Sequence, residues 1–448
     1  MRPKPLSSGH VPSFVFHRVA GRDLPTVARA AGAVLWDTEG RRYLDGSGGA
    51  VVVNVGHGRE EIASAMARQA AAAGYVHGTQ FTSDVLEEYA RRLAVHAPGD
   101  CRRLYLLSGG SEATETAVKL ARAYHLARGE RGRHKVIGRT VSYHGNTLGA
   151  LSLSGRPTLQ APYAPLLSDT PRAAAPFCYH CPLALEHPSC ALACADDLEA
   201  VIEREGARTV AAFIAEPILG ASAGAAVPPD DYTRRVRETC RRHGIVYIDD
   251  EVMAGFGRTG RWFGIEWDGV APDLVTCGKG MAGGYMPVGA VLASEAIVDT
   301  VERAGGFVNG FTFSHHPVTA AAGLATLEIL EREGLVERAA GMGERALARL
   351  QELRARPQVG DVRGRGLMLG VELVADARTR RPFPRAEKRA EAVAACAFAQ
   401  GLIVYPSAGC ATGTEGDLVM LAPPLVVTDD ELDEMAVILD GAIEAAFR

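Results

Sequence analysis

In Leu104-Tyr105-Leu106-Leu107-Ser108-Gly109-Gly110-Ser111-Glu112-Ala113 an apolar run gives way to small residues and then to a helical pattern. Leu104 to Leu107 has the length and composition of a buried strand, and Glu112 to Arg128 repeats Ala and Leu at helical spacing. The same unit recurs along the chain. Val210 to Ala215, Ile245 to Ile248 and Leu274 to Cys277 read as strands, while Ala195 to Glu205 and Asp230 to His243 read as helices. This alternation, from about Tyr75 to Leu330, predicts an α/β fold: a mostly parallel sheet with helices on both faces.

The flanks differ. Ala33 to Trp36 and Arg41 to Asp45 predict a hairpin around Thr38-Glu39-Gly40, followed by a helix over Glu60 to Ala73. Beyond Leu335 come a long Arg/Ala/Leu helix, two strands near Gly366–Leu373 and Leu402–Tyr405, and a closing helix from Thr428. The expected division is an N-terminal segment, 1–74, that packs with a small α+β domain, 331–448, around a large domain, 75–330.

A chain of 448 residues is long for one hydrophobic core. Its net charge of -5, with both signs interspersed, leaves no basic footprint for nucleic acid or an anionic membrane. Met1 to Phe16 holds Pro3, Pro5 and Pro12 and no continuous apolar run, unlike a signal peptide. Apolar stretches elsewhere break before a membrane-spanning length, and nine cysteines, an odd number, fit a reducing cytoplasm better than a disulfide scaffold.

Four segments carry chemistry. A helix opening after Ser108-Gly109-Gly110-Ser111 presents free N–H groups and a positive dipole end, which is a phosphate cradle; alone, the run is equally a plain Ser/Gly cap. Its spacing matches neither the dinucleotide glycine fingerprint nor a P-loop. Asp249-Asp250-Glu251 stands at the end of an apolar strand, at the sheet edge where open α/β folds place ligands. Clustered carboxylates also bind Mg²⁺, but no nucleotide motif accompanies these, and one carboxylate can instead pair with a protonated ring nitrogen. Lys279, among glycines just past another apolar strand, would singly be a surface lysine more often than not, but beside the cradle and the carboxylate it has the setting of a desolvated amine nucleophile. Tyr143, which alone could equally be a core residue, can stack on a flat heterocycle. A phosphate, a ring nitrogen, an aldehyde and a planar ring are thus each matched by one segment.

These residues resemble the class III aminotransferases, of the fold-type-I group of pyridoxal-phosphate (PLP) enzymes. The match runs through 108–122, Tyr143-His144-Gly145-Asn146-Thr147, 250–260, 278–290 and 312–317, with Asn54 to Gly58 and Leu421 to Leu425 at the flanks. The resemblance implies that Lys279 holds PLP as a Schiff base and moves the substrate's Cα proton. It implies that Asp250, rather than Asp249, faces the pyridine nitrogen, that Tyr143 and Val252 pack on the ring, and that Gly110 and Ser111 bind the phosphate. His144 is expected to make a structural or ring-edge contact with the cofactor. Thr312 would reach the phosphate of a neighbouring subunit's cofactor, implying a homodimer, and Glu216 would lie near the substrate end.

Two departures bear on the substrate. Relatives acting on ornithine or γ-aminobutyrate carry Arg where Asn146 stands, and many amine–pyruvate enzymes carry a mobile Arg where Tyr405-Pro406 stands, before a Gly-rich loop, Ser407 to Gly416. Both carboxylate clamps are missing. Cys178-x-x-Cys181 followed by Cys190 and Cys194, with His180 and His187 nearby, has the outline of a zinc site. The second spacing is loose and the family needs no metal, so the expectation is free thiols in a loop near the active-site entrance, with no metal bound.

The expected activity is a PLP-dependent ω-aminotransferase, passing an amino group from an amine or ω-amino compound to pyruvate or 2-oxoglutarate by a ping-pong cycle. An aminomutase or a decarboxylating aminotransferase would use the same constellation, and Thr114 leans slightly toward the aminomutase branch. A non-catalytic descendant would have had no reason to keep Lys279.

Overall fold

The computed structural model describes residues 14–19, 21 and 23–448; most of the proline-bearing Met1–Phe16 segment discussed above lies outside them. In chain order the strands are β1 (Val27–Ala31), β2 (Val34–Asp37), β3 (Arg42–Asp45), β4 (Arg103–Leu107), β5 (Lys135–Arg139), β6 (Arg172–Ala173), β7 (Val210–Ala215) and β8 (Val246–Asp250). They continue with β9 (Leu274–Gly278), β10 (Gly289–Ala293), β11 (Val359–Arg365), β12 (Met368–Leu373), β13 (Leu402–Ile403), β14 (Tyr405–Ala408) and β15 (Asp417–Leu421).

A seven-stranded sheet in the order β4-β10-β9-β8-β7-β5-β6 forms the centre. Only β10 runs against its neighbours, pairing Gly289 with both Leu107 and Gly278. Every residue of β7, β8, β9 and β10 is buried. Strands covered on both faces need no polar alternation, which is why they read as unbroken apolar runs. The helix Gly110–Ala127 lays Ala113, Ala117, Leu120 and Ala121 onto one face of this sheet, against Ile214 and Ile248. Each Leu or Ile removed from water in such a layer contributes roughly 1.5–3 kcal/mol. Helix Pro317–Arg332 packs against helices Glu60–Ala73 and Asp84–Leu93.

Two smaller sheets flank the centre. In the first, the expected hairpin forms between β2 and β3, while β13 from the far end of the chain adds a parallel strand, Leu402 beside Leu44 and Ile403 beside Asp45. The second has the antiparallel order β11-β12-β15-β14. Sequence reading missed β1, which is mostly exposed and so shows no apolar alternation. It also took Leu402–Tyr405 as one strand, whereas the chain changes sheets at Val404. The Gly-rich stretch Ser407–Gly416 is the end of β14 and the turn of its hairpin with β15. The closing helix, Asp429–Ala446, starts with a reciprocal Thr428/Glu431 capping box and buries Leu432, Met435, Leu439 and Ile443.

Candidate active site

The carboxyl ends of β4, β9, β8, β7 and β5, with the segment entering β10, enclose a cavity of about 440 Å³. Gly110, Ser111, Tyr143, His144, Glu216, Asp250, Val252 and Lys279 all line it. Thr312 does not; it lies exposed in the segment between helices Glu295–Arg303 and Pro317–Arg332.

At the end of β4 the chain turns through Gly109, which is extended and gives the following helix no side-chain cap. Among the described residues the Gly110 and Ser111 N–H groups make no hydrogen bond within the chain. They open at the positive end of an 18-residue helix, an arrangement that receives an anion. The Ser111 hydroxyl accepts from the Asn146 N–H at 3.0 Å, tying this turn to the segment after β5. A Cβ on Gly110 would sit 2.9 Å from Val252, so the floor here closes only around glycine.

Strand alternation separates the acidic residues of β8. Asp250 faces the cavity, while Asp249 and Glu251 point to the other side, where both are fully buried. Burial and the neighbouring Glu251 carboxyl push Asp249 well up, and burial pushes Glu251 up to about 7 against the Gly264 and Ile265 N–H groups and the hydrogen bond with Asp249. Asp250 is oriented twice. The Val252 N–H donates to Oδ1 at 3.1 Å, and His144 Nδ1 lies 2.6 Å from Oδ2. His144 is itself fixed, its N–H donating to Ser154 Oγ and its carbonyl accepting from Thr114 Oγ1. The imidazole is thus in structural contact with Asp250, one of the two contacts expected of it.

Lys279 follows β9 with φ +44°, a left-handed conformation unusual for a side chain larger than glycine. Burial brings its amine down to about 8, against the attraction of Asp250 and Glu216. Among the described residues Nζ has no hydrogen-bond or ion-pair partner. Glu216, at the end of β7, is buried and meets the fully buried Arg139 at 3.3 Å. Burial pushes the Glu216 carboxyl up, opposed by His144 and Arg139. The Gly220 and Tyr143 N–H groups donate to its two oxygens. Arg139 escaped the sequence reading, although a charge at the end of the apolar strand Lys135–Arg139 was its signal. Burial also raises Tyr143.

Residues 18–443 match the family Aminotransferase class-III. The chain is a class-III aminotransferase. A probable aminotransferase of Mycobacterium tuberculosis is 40% identical over 429 residues, 95% of this chain and 90% of that one. The putrescine–pyruvate aminotransferase of Pseudomonas aeruginosa is 35% identical, covering 95% of this chain and 92% of that one. The solved structure of a thermostable (S)-enantioselective ω-transaminase from Thermomicrobium roseum superposes with a TM-score of 0.88 at 39% identity, over 95% of this chain and 93% of that one. The aminotransferase thus has the fold-type-I architecture of these enzymes.

Cys178, Cys181, Cys190 and Cys194 of the aminotransferase line one small apolar cavity with His187. Among the described residues no three His, Cys, Asp or Glu side chains are grouped to hold a metal ion. His180 is taken up by Glu372. Phe177 and Tyr179, at the start of this loop, pack in the same cluster as Ile218 and Ala221 of the active-site wall. Among the described residues no helix is long and apolar enough to cross a membrane.

Proposed function

We propose that this aminotransferase is PLP-dependent and moves an amino group from an amine or ω-amino compound to an oxo acid, pyruvate or 2-oxoglutarate, in two half-reactions. The observation that carries this is the convergence of an unpartnered lysine amine, a doubly oriented carboxylate and two free N–H groups on one cavity. These fit PLP: the Gly110 and Ser111 N–H groups suit its phosphate, Asp250 its ring nitrogen and Lys279 its aldehyde. When bound, the cofactor draws electrons from the substrate's Cα.

Lys279 holds the cofactor and, once displaced, takes and returns the proton at the substrate Cα. Its lowered pKa suits both tasks near neutral pH. Asp250 keeps a proton on the ring nitrogen, and His144 holds Asp250 in place for this. Tyr143 and Val252 pack on the ring, and Glu216 marks the substrate end. A homodimer completes the site through Thr312, a reading supported by its exposure beside Val308, 97% exposed, and Phe313, 56% exposed. We further propose the domain division at 74/75 and 330/331 and a cytoplasmic location.

The test is a visible spectrum of the purified protein with added PLP, repeated after adding single amines and then pyruvate. A band of lysine-bound cofactor that falls with a donor and returns with the oxo acid is expected. Lys279→Ala should lack that band and all turnover while folding and assembling normally; turnover in that variant would overturn the assignment.

A further inference from the structure

We propose that Arg156 binds the carboxylate of the oxo-acid acceptor at the cavity wall, supplying the clamp that positions 146 and 405 do not. The inference rests on the aminotransferase reading above and deepens it to a specificity-determining residue.

Arg156 lies between the short helix Leu148–Leu153 and the turn of helix at Pro157–Gln160, with its side chain part-buried. One terminal nitrogen donates to Ser407 Oγ at 3.0 Å and to the Ala408 carbonyl at 3.1 Å. Ser407 in turn donates to the Ala221 carbonyl at 2.7 Å, and Ala221 lines the cavity. Neither Arg156 nor Ser407 itself lines the cavity; the guanidinium sits behind its wall, one hydroxyl from the Ala221 carbonyl, held by Ser407 of β14, which pairs with Leu418. Tyr405, Tyr143, Glu216 and Cys410 lie within electrostatic reach of it, and Tyr143 and Glu216 line the cavity.

The other arginines in the interior each have a counter-charge or backbone carbonyls. Arg139 has Glu216 as its counter-charge, although its Nε and Nη1 have no hydrogen-bond partner among the described residues; Arg363 has Asp361 and Glu372, and Arg258 donates to the carbonyls of Val53, Leu367 and Pro423. Arg172 spends its donors on the carbonyls of Ser152, Ser154 and Thr170. Arg156 has no carboxylate within 4.0 Å among the described residues, and its Nε and second terminal nitrogen make no hydrogen bond there. A guanidinium does not shed its proton, and Arg156, with two nitrogens lacking the acceptors that the Arg258 terminal nitrogens have, favours an arriving anion. Its planar fork suits a carboxylate held by two parallel hydrogen bonds. Arg18, the other guanidinium near Tyr143, is exposed on the N-terminal segment.

The test follows the two half-reactions separately in PLP-loaded enzyme, by the cofactor's absorbance, in the wild type, Arg156→Met and Arg156→Lys. The probes are benzylamine, which has no carboxylate, pyruvate, and butyrate as an unreactive carboxylate. Arg156→Met should raise the pyruvate concentration for half-saturation roughly 10- to 100-fold, the worth of a charge-assisted hydrogen bond. It should weaken inhibition by butyrate in proportion and leave the benzylamine step within about twofold; Arg156→Lys should recover part of the loss. Unchanged pyruvate saturation, or equal losses in both half-reactions, would overturn the proposal. If Arg156→Met does not fold, Arg156→Lys decides: pyruvate saturation equal to wild type overturns it, and a selective loss supports it. A wild type inert to every amine would instead overturn the underlying aminotransferase reading.

Discussion

Replacing Lys279 by Met should make the cofactor-free protein more stable at pH 7, although it removes the residue on which activity depends. The amine titrates at about 8 in the folded chain and at 10.5 when free. At about 1.4 kcal/mol for each tenfold change in proton affinity, holding it charged destabilises the fold by roughly 3 kcal/mol. Part of the side chain faces the open cavity, where solvent screens the charge, and a discount for this leaves about 2 kcal/mol. The attraction of Asp250 and Glu216 is already included in that balance. Below about pH 8 the full penalty applies. Between about 8 and 10.5 the unfolded chain holds a proton that the folded chain has released, so wild-type stability rises with pH relative to the variant. Above this window the difference disappears. Urea unfolding of both cofactor-free proteins at pH 7 and pH 10.5 measures it. A variant no more stable than wild type at pH 7, or a difference that does not shrink at high pH, would refute the reasoning and remove the electrostatic basis for a lysine poised near neutrality.

Gly289→Ala should damage the phosphate end of the site, because its Cβ would lie 2.2 Å from the Gly109 carbonyl oxygen and force β10 away from β4. We expect a stability loss of about 1–3 kcal/mol and weaker PLP binding, seen in thermal melts and a PLP titration; unchanged values in both would contradict this contact. Glu251→Gln should flatten the pH dependence of stability. The buried Glu251 keeps its proton up to about pH 7, whereas a free glutamate releases its proton near 4.5, so wild-type stability falls as pH rises between these values. Melting temperatures at pH 5 and pH 8 that drop equally in both proteins would count against it.

What the sequence disclosed follows from burial. β7 and helix Glu60–Ala73 match their sequence-predicted limits, because a strand covered on both faces leaves an unbroken apolar run of strand length and an amphipathic helix a 3.6-residue period. β1 leaves none, being an exposed edge, and no local pattern shows that Leu402–Ile403 and Tyr405–Ala408 pair in different sheets. Eight of the nine proposed site residues line one cavity because each stands just past an apolar strand, where topology gathers them. Arg139 and Arg156 escaped for a different reason. What distinguishes Arg156 is the partner it lacks, and that is a property of three dimensions, invisible in Ser154-Gly155-Arg156-Pro157. The link from His144 to Asp250 likewise joins residues 106 positions apart.

The pairing of β3 with β13 sets an order on synthesis. The free edge of Arg42–Asp45 stays open until Leu402 and Ile403 leave the ribosome, on the order of tens of seconds later at roughly 5–20 residues per second. During that interval the nascent amino-terminal hairpin presents unpaired backbone N–H and C=O groups to every other chain in its surroundings. Slower synthesis lengthens that interval, so expression at high level favours a fast-completing chain or a holdase that covers the edge.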